Sequence, residues 1–93
     1  MVVALLSIAL FMPMSRSLKD KRMVLRRLKD RLKAQNVAVA EVGHQDLWQR
    51  AELGVVTVAT SEGGAEEVLS GALAEIERLE PGLVTDSRIE FLK

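Results

Sequence analysis

A run of basic residues with helical spacing is the first feature of the chain that could do chemistry. Residues 17–33, SLKDKRMVLRRLKDRLK, hold eight of the 13 lysines and arginines, although the formal net charge of the whole chain is zero. At about 100° per residue, five of these bases fall on one arc about 80° wide and about 21 Å long. We call these five the basic stripe: Lys19, Arg22, Arg26, Lys29 and Lys33.

The basic stripe suits a phosphate backbone, because each phosphate contact releases a condensed counterion. RNA or a ribosomal surface is therefore one candidate partner, and an acidic protein is another. The alternative is a solvated helix face, or one neutralised by acids of the second helix (Glu66, Glu67, Glu75 and Glu77). Exposed charge pairs contribute only about 0–1 kcal/mol each. Four acids also cannot balance eight bases, so pairing within the chain explains part of the run and not all of it.

The second candidate site is the segment GHQDLWQR, residues 43–50, which holds the only histidine and the only tryptophan. The residues that it offers for recognition are His44, Gln45, Asp46, Trp48 and Arg50. Trp48 could stack on a base or anchor an interface. The alternative, which the pattern favours, is a structural connection with Trp48 packed on the edge of the core and Asp46 in turn hydrogen bonds.

Lys21 is a third candidate, because it falls in the middle of the apolar arc of the basic helix. Near a helix start it could snorkel past the core or form a structural ion pair, and these are the favoured interpretations. It could equally reach a polar group of the GHQDLWQR segment or a ligand phosphate.

These residues do not form a pattern that is typical of an enzyme. One histidine and one aspartate two positions apart form neither a catalytic triad nor a metal-ligand set, and the chain has no cysteine. The segment SEGGAEE lacks the lysine and the spacing of a phosphate-binding loop. We therefore predict a non-enzymatic protein with no catalytic residue, no metal and no cofactor.

The elements that must position these residues follow from hydrophobic periodicity and turn signals. Ser17 is predicted to cap the basic helix, with Asp20 three residues on as in a capping box. Asn36 is predicted to end that helix. The expected elements are strands over 2–12, 37–42, 51–59 and 84–92, and helices from Ser17 to about Gln35 and over 62–79.

This βαββαβ order predicts a ferredoxin-like α+β fold, one domain over residues 1–93, with both helices on one face of a four-stranded antiparallel sheet. The first strand is apolar on both faces and is expected in the centre. Its uncovered face would leave an apolar patch in water. A homodimer packed through this open sheet face would cover the patch; the alternative is that small residues and long flanking side chains cover it.

Composition indicates the kind of partner and the cellular compartment to expect. Residues 1–40 carry nine bases and two acids, and residues 41–93 carry four bases and eleven acids. Such asymmetry points to a charged partner, or to the two halves facing each other. MVVALLSIALFM has no basic region before it and is too short to span a bilayer, so we predict a buried strand and no membrane contact. The absence of cysteine fits a cytoplasmic protein.

Two motifs resemble the YlxP-like family of small bacterial proteins. One is SLKDKR, residues 17–22, followed by the basic helix; the other is VAEV at 39–42 with QDLWQRAELGV at 45–55. The resemblance implies a ferredoxin-like fold and no known activity. It also implies a translation context, because such proteins are often encoded beside translation genes, including those for initiation factor 2 and ribosome-binding factor A.

Three functions stay open from the sequence: binding of RNA or a ribosomal surface by the basic helix, docking of an acidic protein, and small-molecule binding by the GHQDLWQR segment. RNA recognition by the open sheet face would need aromatic side chains on the central strands. The chain has only Phe11, Phe91 and Trp48 as aromatic residues. RNA is therefore expected on the basic helix, through backbone contacts with little sequence specificity.

Overall fold

The computed structural model describes residues 1–92. Its elements are strand β1 (Val2–Phe11), helix α1 (Leu18–Leu32), strand β2 (Ala38–Gly43), strand β3 (Arg50–Ala59), helix α2 (Glu62–Leu79) and strand β4 (Val84–Leu92). The strands form one antiparallel sheet in the order β2-β3-β1-β4. The predicted ferredoxin-like α+β fold is confirmed.

Strand β1 lies in the centre of the sheet because both of its faces are apolar. Its helix-facing residues Ala4, Leu6, Ile8 and Leu10 are at most 1% exposed. The alternate residues are half-buried. The N-terminal apolar run is thus a central strand, as its two apolar sets predicted.

The core lies between the sheet and the two helices. Helix α1 contributes Leu25, Leu28 and Leu32, and α2 contributes Leu69 and Ile76, all at most 3% exposed. These side chains join the inner residues of β1 and β3 in one buried apolar cluster. Burial of each such side chain contributes about 1.5–3 kcal/mol, and it fixes which face of α1 points away from the core.

Both helices begin at a serine cap. The Ser17 hydroxyl accepts the N–H of Asp20 at 3.1 Å, and the Asp20 carboxylate accepts the N–H of Arg16 at 2.9 Å. The Ser61 hydroxyl accepts the N–H of Gly64 at 3.0 Å. The predicted cap at Ser17 is confirmed, and its reciprocal bond goes to the residue before the cap.

Helix α1 ends at Leu32, three residues before the predicted end near Gln35. Asn36 explains the difference, because it bonds to β3 and not to the helix. Its amide donates to the Val58 carbonyl at 2.9 Å, and the Thr57 hydroxyl donates to the Asn36 carbonyl at 2.6 Å. The chain therefore leaves the helix early enough to bring Asn36 beside the sheet.

The sheet face opposite the helices is uncovered, and we call it the open face. By strand alternation and register it comprises side chains from all four strands. They are Ala38, Ala40 and Val42 of β2; Arg50, Glu52, Gly54, Val56 and Val58 of β3; Val3, Leu5, Ser7, Ala9 and Phe11 of β1; and Asp86, Arg88, Glu90 and Leu92 of β4. Val42, Val58 and Leu92 are 55%, 49% and 47% exposed.

Candidate functional site

The basic stripe runs along α1 on the side next to β2. Its residues are exposed apart from Lys29, which is half-buried. A groove of about 230 Å³ separates this side of the helix from β2, and its lining includes Lys29, Lys33 and Val39. Burial of the leucine stripe produces this orientation, because the bases lie about a quarter turn from the buried arc.

Arg27 and Arg31 of α1 lie on the side of the second helix and are neutralised there. Arg27 lies 2.6 Å from a Glu80 carboxylate oxygen, and Arg31 lies 3.8 Å from one of Glu75. Glu75 also binds Arg78 on its own helix. The hydrogen bond from Arg78 lowers the pKa of Glu75, and the charges of Arg78 and Arg31 act in the same direction against partial desolvation.

The basic stripe itself is largely without acidic partners. Lys33 lies 3.2 Å from Asp30, and both side chains are more than half exposed. Within residues 1–92, Lys19, Arg22, Arg26 and Lys29 form no ion pair. Neutralisation by α2, one of the alternatives left open by the sequence, therefore applies to the opposite side of the helix.

Lys21 is buried and holds the segment that joins β2 to β3. Its side chain is 1% exposed. The ammonium donates to the carbonyls of His44 at 2.8 Å, Arg50 at 3.2 Å and Gln45 at 3.4 Å. Lys21 thus forms the contacts with the GHQDLWQR segment that were one of its predicted alternatives, and its ammonium is enclosed by protein atoms.

A carboxylate balances the charge of Lys21. Glu41 Oε2 lies 2.8 Å from the Lys21 ammonium, and the Glu41 side chain is 17% exposed. Within the described residues this oxygen has no hydrogen-bond partner, and its contact with Lys21 is the ion pair. The three ammonium hydrogens serve the three carbonyls, and Glu41 acts mainly through its charge. The favoured interpretation of Lys21 as half of a structural ion pair agrees with this arrangement.

The GHQDLWQR segment is an ordered turn anchored from two sides. His44 has a left-handed backbone with φ of 62°, and its carbonyl also accepts the N–H of Leu47 at 3.0 Å. The Gln49 amide donates to the Pro13 carbonyl at 3.1 Å, which ties the segment to the turn after β1. A left-handed non-glycine residue carries strain, and the bond from Lys21 to His44 holds it in place.

The expected packing of Trp48 on the core edge is wrong. Trp48 is 54% exposed, and its neighbour Leu47 is 46% exposed. The Asp46 side chain makes no hydrogen bond to the part of the chain that the structure describes, so the turn depends on backbone and Lys21 contacts. Lys21 holds the segment by its backbone carbonyls and Gln49 holds it by its side-chain amide, which leaves Leu47 and Trp48 without a contact that draws them into the core.

Trp48 instead lines a shallow pocket of about 340 Å³ at one end of the open face. The Arg50 guanidinium lies 4.8 Å from the centre of the Phe11 ring in the same pocket, a cation–π contact. Asp46 and Gln49 add polar groups to the lining. The pocket therefore offers flat apolar surfaces and hydrogen-bonding groups to a small planar ligand or to one base.

Catalytic and metal-binding groups are sparse in the described chain. No group of three or more His, Cys, Asp or Glu residues that could hold a metal ion occurs within residues 1–92. His44 and Asp46 are both exposed. Neither described helix is long and apolar enough to cross a membrane.

Comparison with known proteins identifies the family. Residues 3–89 match a family described as a protein of unknown function, DUF503. The chain belongs to the DUF503 family. Both the basic stripe and the GHQDLWQR segment lie inside the matched DUF503 region.

Two further similarities support the DUF503 assignment and the fold. The uncharacterized protein YlxP of Bacillus subtilis (strain 168) is 42% identical over 62 residues, which cover 66% of this chain and 67% of that protein. The predicted membership of a YlxP-like family of unknown function is confirmed. A crystal structure of At3g17210 from Arabidopsis thaliana has a TM-score of 0.55, covering 98% of this chain and 93% of its own at 15% identity. That likeness supports the fold alone.

Sequence reasoning missed two residues of this DUF503 chain that shape its candidate sites. Glu41 was not recognised as the partner of Lys21, although it follows Val37 and Val39 at alternate positions and so falls on the helix-facing side of β2. Phe11 was not linked to Arg50, because their pairing depends on the register of β1 and β3. The alternation of β2 could have revealed Glu41 as the partner of Lys21. The contact between Phe11 and Arg50 could be found only from the structure.

Proposed function

We propose that this DUF503 protein is a non-enzymatic RNA-binding module that contacts RNA, or an RNA-rich ribosomal surface, through the basic stripe of α1. One observation carries the proposal. Arg27 and Arg31, which face α2, are neutralised by glutamates, whereas Lys19, Arg22, Arg26 and Lys29 have no acidic partner among the described residues.

The geometry of the stripe fits a phosphate backbone. Its five residues recur every three or four positions, which spaces them by about 5 Å over a length of about 21 Å. A straight helix side with one charge sign can follow several consecutive phosphates. The groove between α1 and β2 adds a concave border to this surface. Binding of this kind depends on charge and is strongly reduced by salt.

The proposed contact carries little sequence specificity. Lysines and arginines that reach phosphates position a nucleic acid without reading its bases. The middle of the open face is aliphatic, with Leu5 and Val56 where a base-stacking sheet would need aromatic rings. Shape and phosphate density of the RNA therefore decide the affinity. The translation context implied by the family resemblance makes ribosomal RNA the first RNA to test.

The test is a salt series of binding to ribosomal RNA and to ribosomal subunits, with two matched charge-reversal variants. Arg22→Glu with Arg26→Glu reverses two stripe charges. Arg27→Glu with Arg31→Glu makes the same change of charge on the α2 side of the same helix. For four to five phosphate contacts, we expect log affinity to fall against log salt with a slope of about −3 to −4.

Each outcome separates the candidate functions. Loss of binding in the stripe variant and retention in the α2-side variant supports the proposal. Equal loss in both variants would mean that net charge alone attracts RNA. Capture of a protein that survives nuclease treatment, with no RNA binding, would favour the acidic-protein alternative.

A small planar ligand in the Trp48 pocket is a second candidate function. The observation in its favour is the exposed Trp48 beside the stacked Arg50 and Phe11. Its test is a thermal-shift series with nucleotides and other metabolites on the wild type, His44→Ala and Trp48→Ala. A shift that Trp48→Ala removes supports this function, and no shift with any compound removes it from consideration.

A further inference from the structure

The open face is divided into an apolar part and a charged part. Row by row across the sheet, Leu92, Val3 and Val58 lie side by side, followed by Glu90, Leu5, Val56 and Ala38. Arg88, Asp86 and Glu52 lie farther along, toward the end that carries Phe11. The apolar part extends from β1 to β2, and the charges concentrate on β4 and the start of β3.

The apolar part is continuous because Gly54 lets its neighbours meet. A Cβ added to Gly54 would lie 3.4 Å from Val42 Cγ1 and 3.7 Å from Leu5 Cδ1. Val42 and Leu5 therefore converge over the glycine and join β2 to β1 in one aliphatic surface. Val42 and Val58 are about half exposed. Burial of such an aliphatic surface against another surface is favourable in water.

We propose that two copies of this chain pack face to face through their open faces, related by a two-fold axis parallel to the strands. This axis keeps each row of one copy over the same row of the other, so Val3 faces Val58 and Leu5 faces Val56 of the second copy. A two-fold axis across the strands would instead reverse the rows and place Val56 over Glu52 of the second copy. The direction of the axis thus follows from how the open face is divided.

The charges of the open face complement each other across the proposed axis. The axis places β4 over β2 of the second copy and β1 over its β3. Arg88 on β4 is 73% exposed and lies 3.7 Å from Glu90. In the dimer Arg88 lies above Ala40 of the second copy, and the partner's Glu52, about one strand spacing to the side and two residues (about 7 Å) along, is at the limit of what the arginine side chain can span. Symmetry repeats this pair, so the interface gains two ion pairs between copies.

The area of the open face determines how much of it a stable dimer must use. The four strands have six to ten residues each. At about 3.3 Å per residue and about 4.8 Å per strand, they cover a plane of about 550 Å². Projecting side chains make the accessible area larger, and a standard interface uses about 800 Å² per partner. The dimer therefore uses the whole open face, as two stacked sheets about 10 Å apart do.

A second copy explains the face better than a nucleic acid does. The charged residues of the open face are Arg50, Arg88, Glu52, Asp86 and Glu90, with one more acid than base. Phosphates would be repelled there, while a copy with the same mixture of signs is attracted. The helices of both protomers lie outside the stacked sheets, so the basic stripes stay uncovered on opposite sides of the dimer.

The test is the dissociation constant of the dimer, measured by sedimentation or light scattering over a dilution series. Val56→Lys places a charge in the aliphatic centre and should weaken dimerisation by at least about 100-fold, because two copies of the charge are buried. Arg88→Glu should weaken it by about tenfold. Adding Glu52→Arg to Arg88→Glu restores opposite charges across the axis and should recover most of the affinity.

Arg78→Glu is the control, because it makes the same charge change on the outer side of α2. It should leave the dimer intact. A monomer at every concentration would overturn the proposal, and so would a dimer that neither Val56→Lys nor Arg88→Glu weakens. Arg88 and Glu52 also line one pocket of about 160 Å³ within a single chain, so the rescue is read from the dissociation constant of the dimer and not from the stability of the chain. RNA binding by α1 does not enter this test, so either proposal can fail alone.

Discussion

Replacing Lys21 by methionine tests how the GHQDLWQR segment is held. Methionine keeps an unbranched chain of similar length in the core and removes the ammonium. The variant therefore loses the donor to the carbonyls of His44, Gln45 and Arg50 and leaves Glu41 without its charge partner. Core packing changes little, so the decrease in unfolding free energy measures the polar contacts of Lys21.

The structure sets the size of this effect. Removing one partner of a buried ion pair destabilises a protein by about 3–5 kcal/mol. Glu41 retains 17% exposure, which favours the lower end, about 3 kcal/mol. For a domain of this size that loss lowers Tm by about 12–24 °C. Glu41→Gln should destabilise the fold by a similar amount, about 3 kcal/mol, because the ammonium keeps its three carbonyls but loses the counter-charge at a site that is 1% exposed.

The assay is urea unfolding followed by the fluorescence of Trp48, the chain's only tryptophan. Wild type, Lys21→Met, Glu41→Gln and the double variant form a cycle that isolates the coupling of the pair. The double variant should lose less unfolding free energy than the two single variants lose when their losses are added. A loss below about 1 kcal/mol in Lys21→Met would refute the reasoning, since that is the behaviour of a lysine that reaches solvent.

Two predictions concern stability elsewhere in the fold. The pKa of Glu75 is lowered chiefly by its hydrogen bond from Arg78. The ionised carboxylate therefore stabilises the fold at pH values above the ordinary pKa of 4.5. This contribution to the unfolding free energy disappears as the pH falls through the lowered pKa. The difference in unfolding free energy between wild type and Glu75→Gln should therefore shrink on acidification; a difference that grows would contradict this. Gly82 has φ of 83°, and no atom lies within 4 Å of the position that a Cβ would take. Gly82→Ala should therefore lower the free energy of unfolding by about 1–2 kcal/mol, because alanine is strained in this left-handed backbone conformation. Gly63→Ala, equally free of contacts but inside α2, should gain up to about 1 kcal/mol, and denaturant unfolding of both variants checks the contrast.

The fold was predictable because local patterns and topology agree. The two apolar sets of β1 required a central strand, and the leucine spacing of α1 required a helix with one buried side. The boundary at the end of α1 was not predictable, because Asn36 bonds to β3 through Thr57 and Val58. Such a bond depends on a strand more than 20 positions away and leaves no local signal.

The candidate sites were predictable only in part. Helical spacing gave the composition of the basic stripe, but not which bases face α2 and meet Glu75 and Glu80. The outward position of Trp48 was missed, since burial of a large aromatic residue is the usual expectation. A short turn anchored by Lys21 overrides that preference by fixing the backbone first.

The most direct test of the central claim compares two charge-reversed proteins on one RNA. Binding to ribosomal RNA at low salt is measured for Arg22→Glu with Arg26→Glu and for Arg27→Glu with Arg31→Glu, after circular dichroism has shown that both are folded. The account predicts that the first loses binding and that its residual salt slope is smaller by about 2, while the second stays close to wild type. Equal binding by both, or no binding by the wild type, would contradict RNA recognition by the basic stripe.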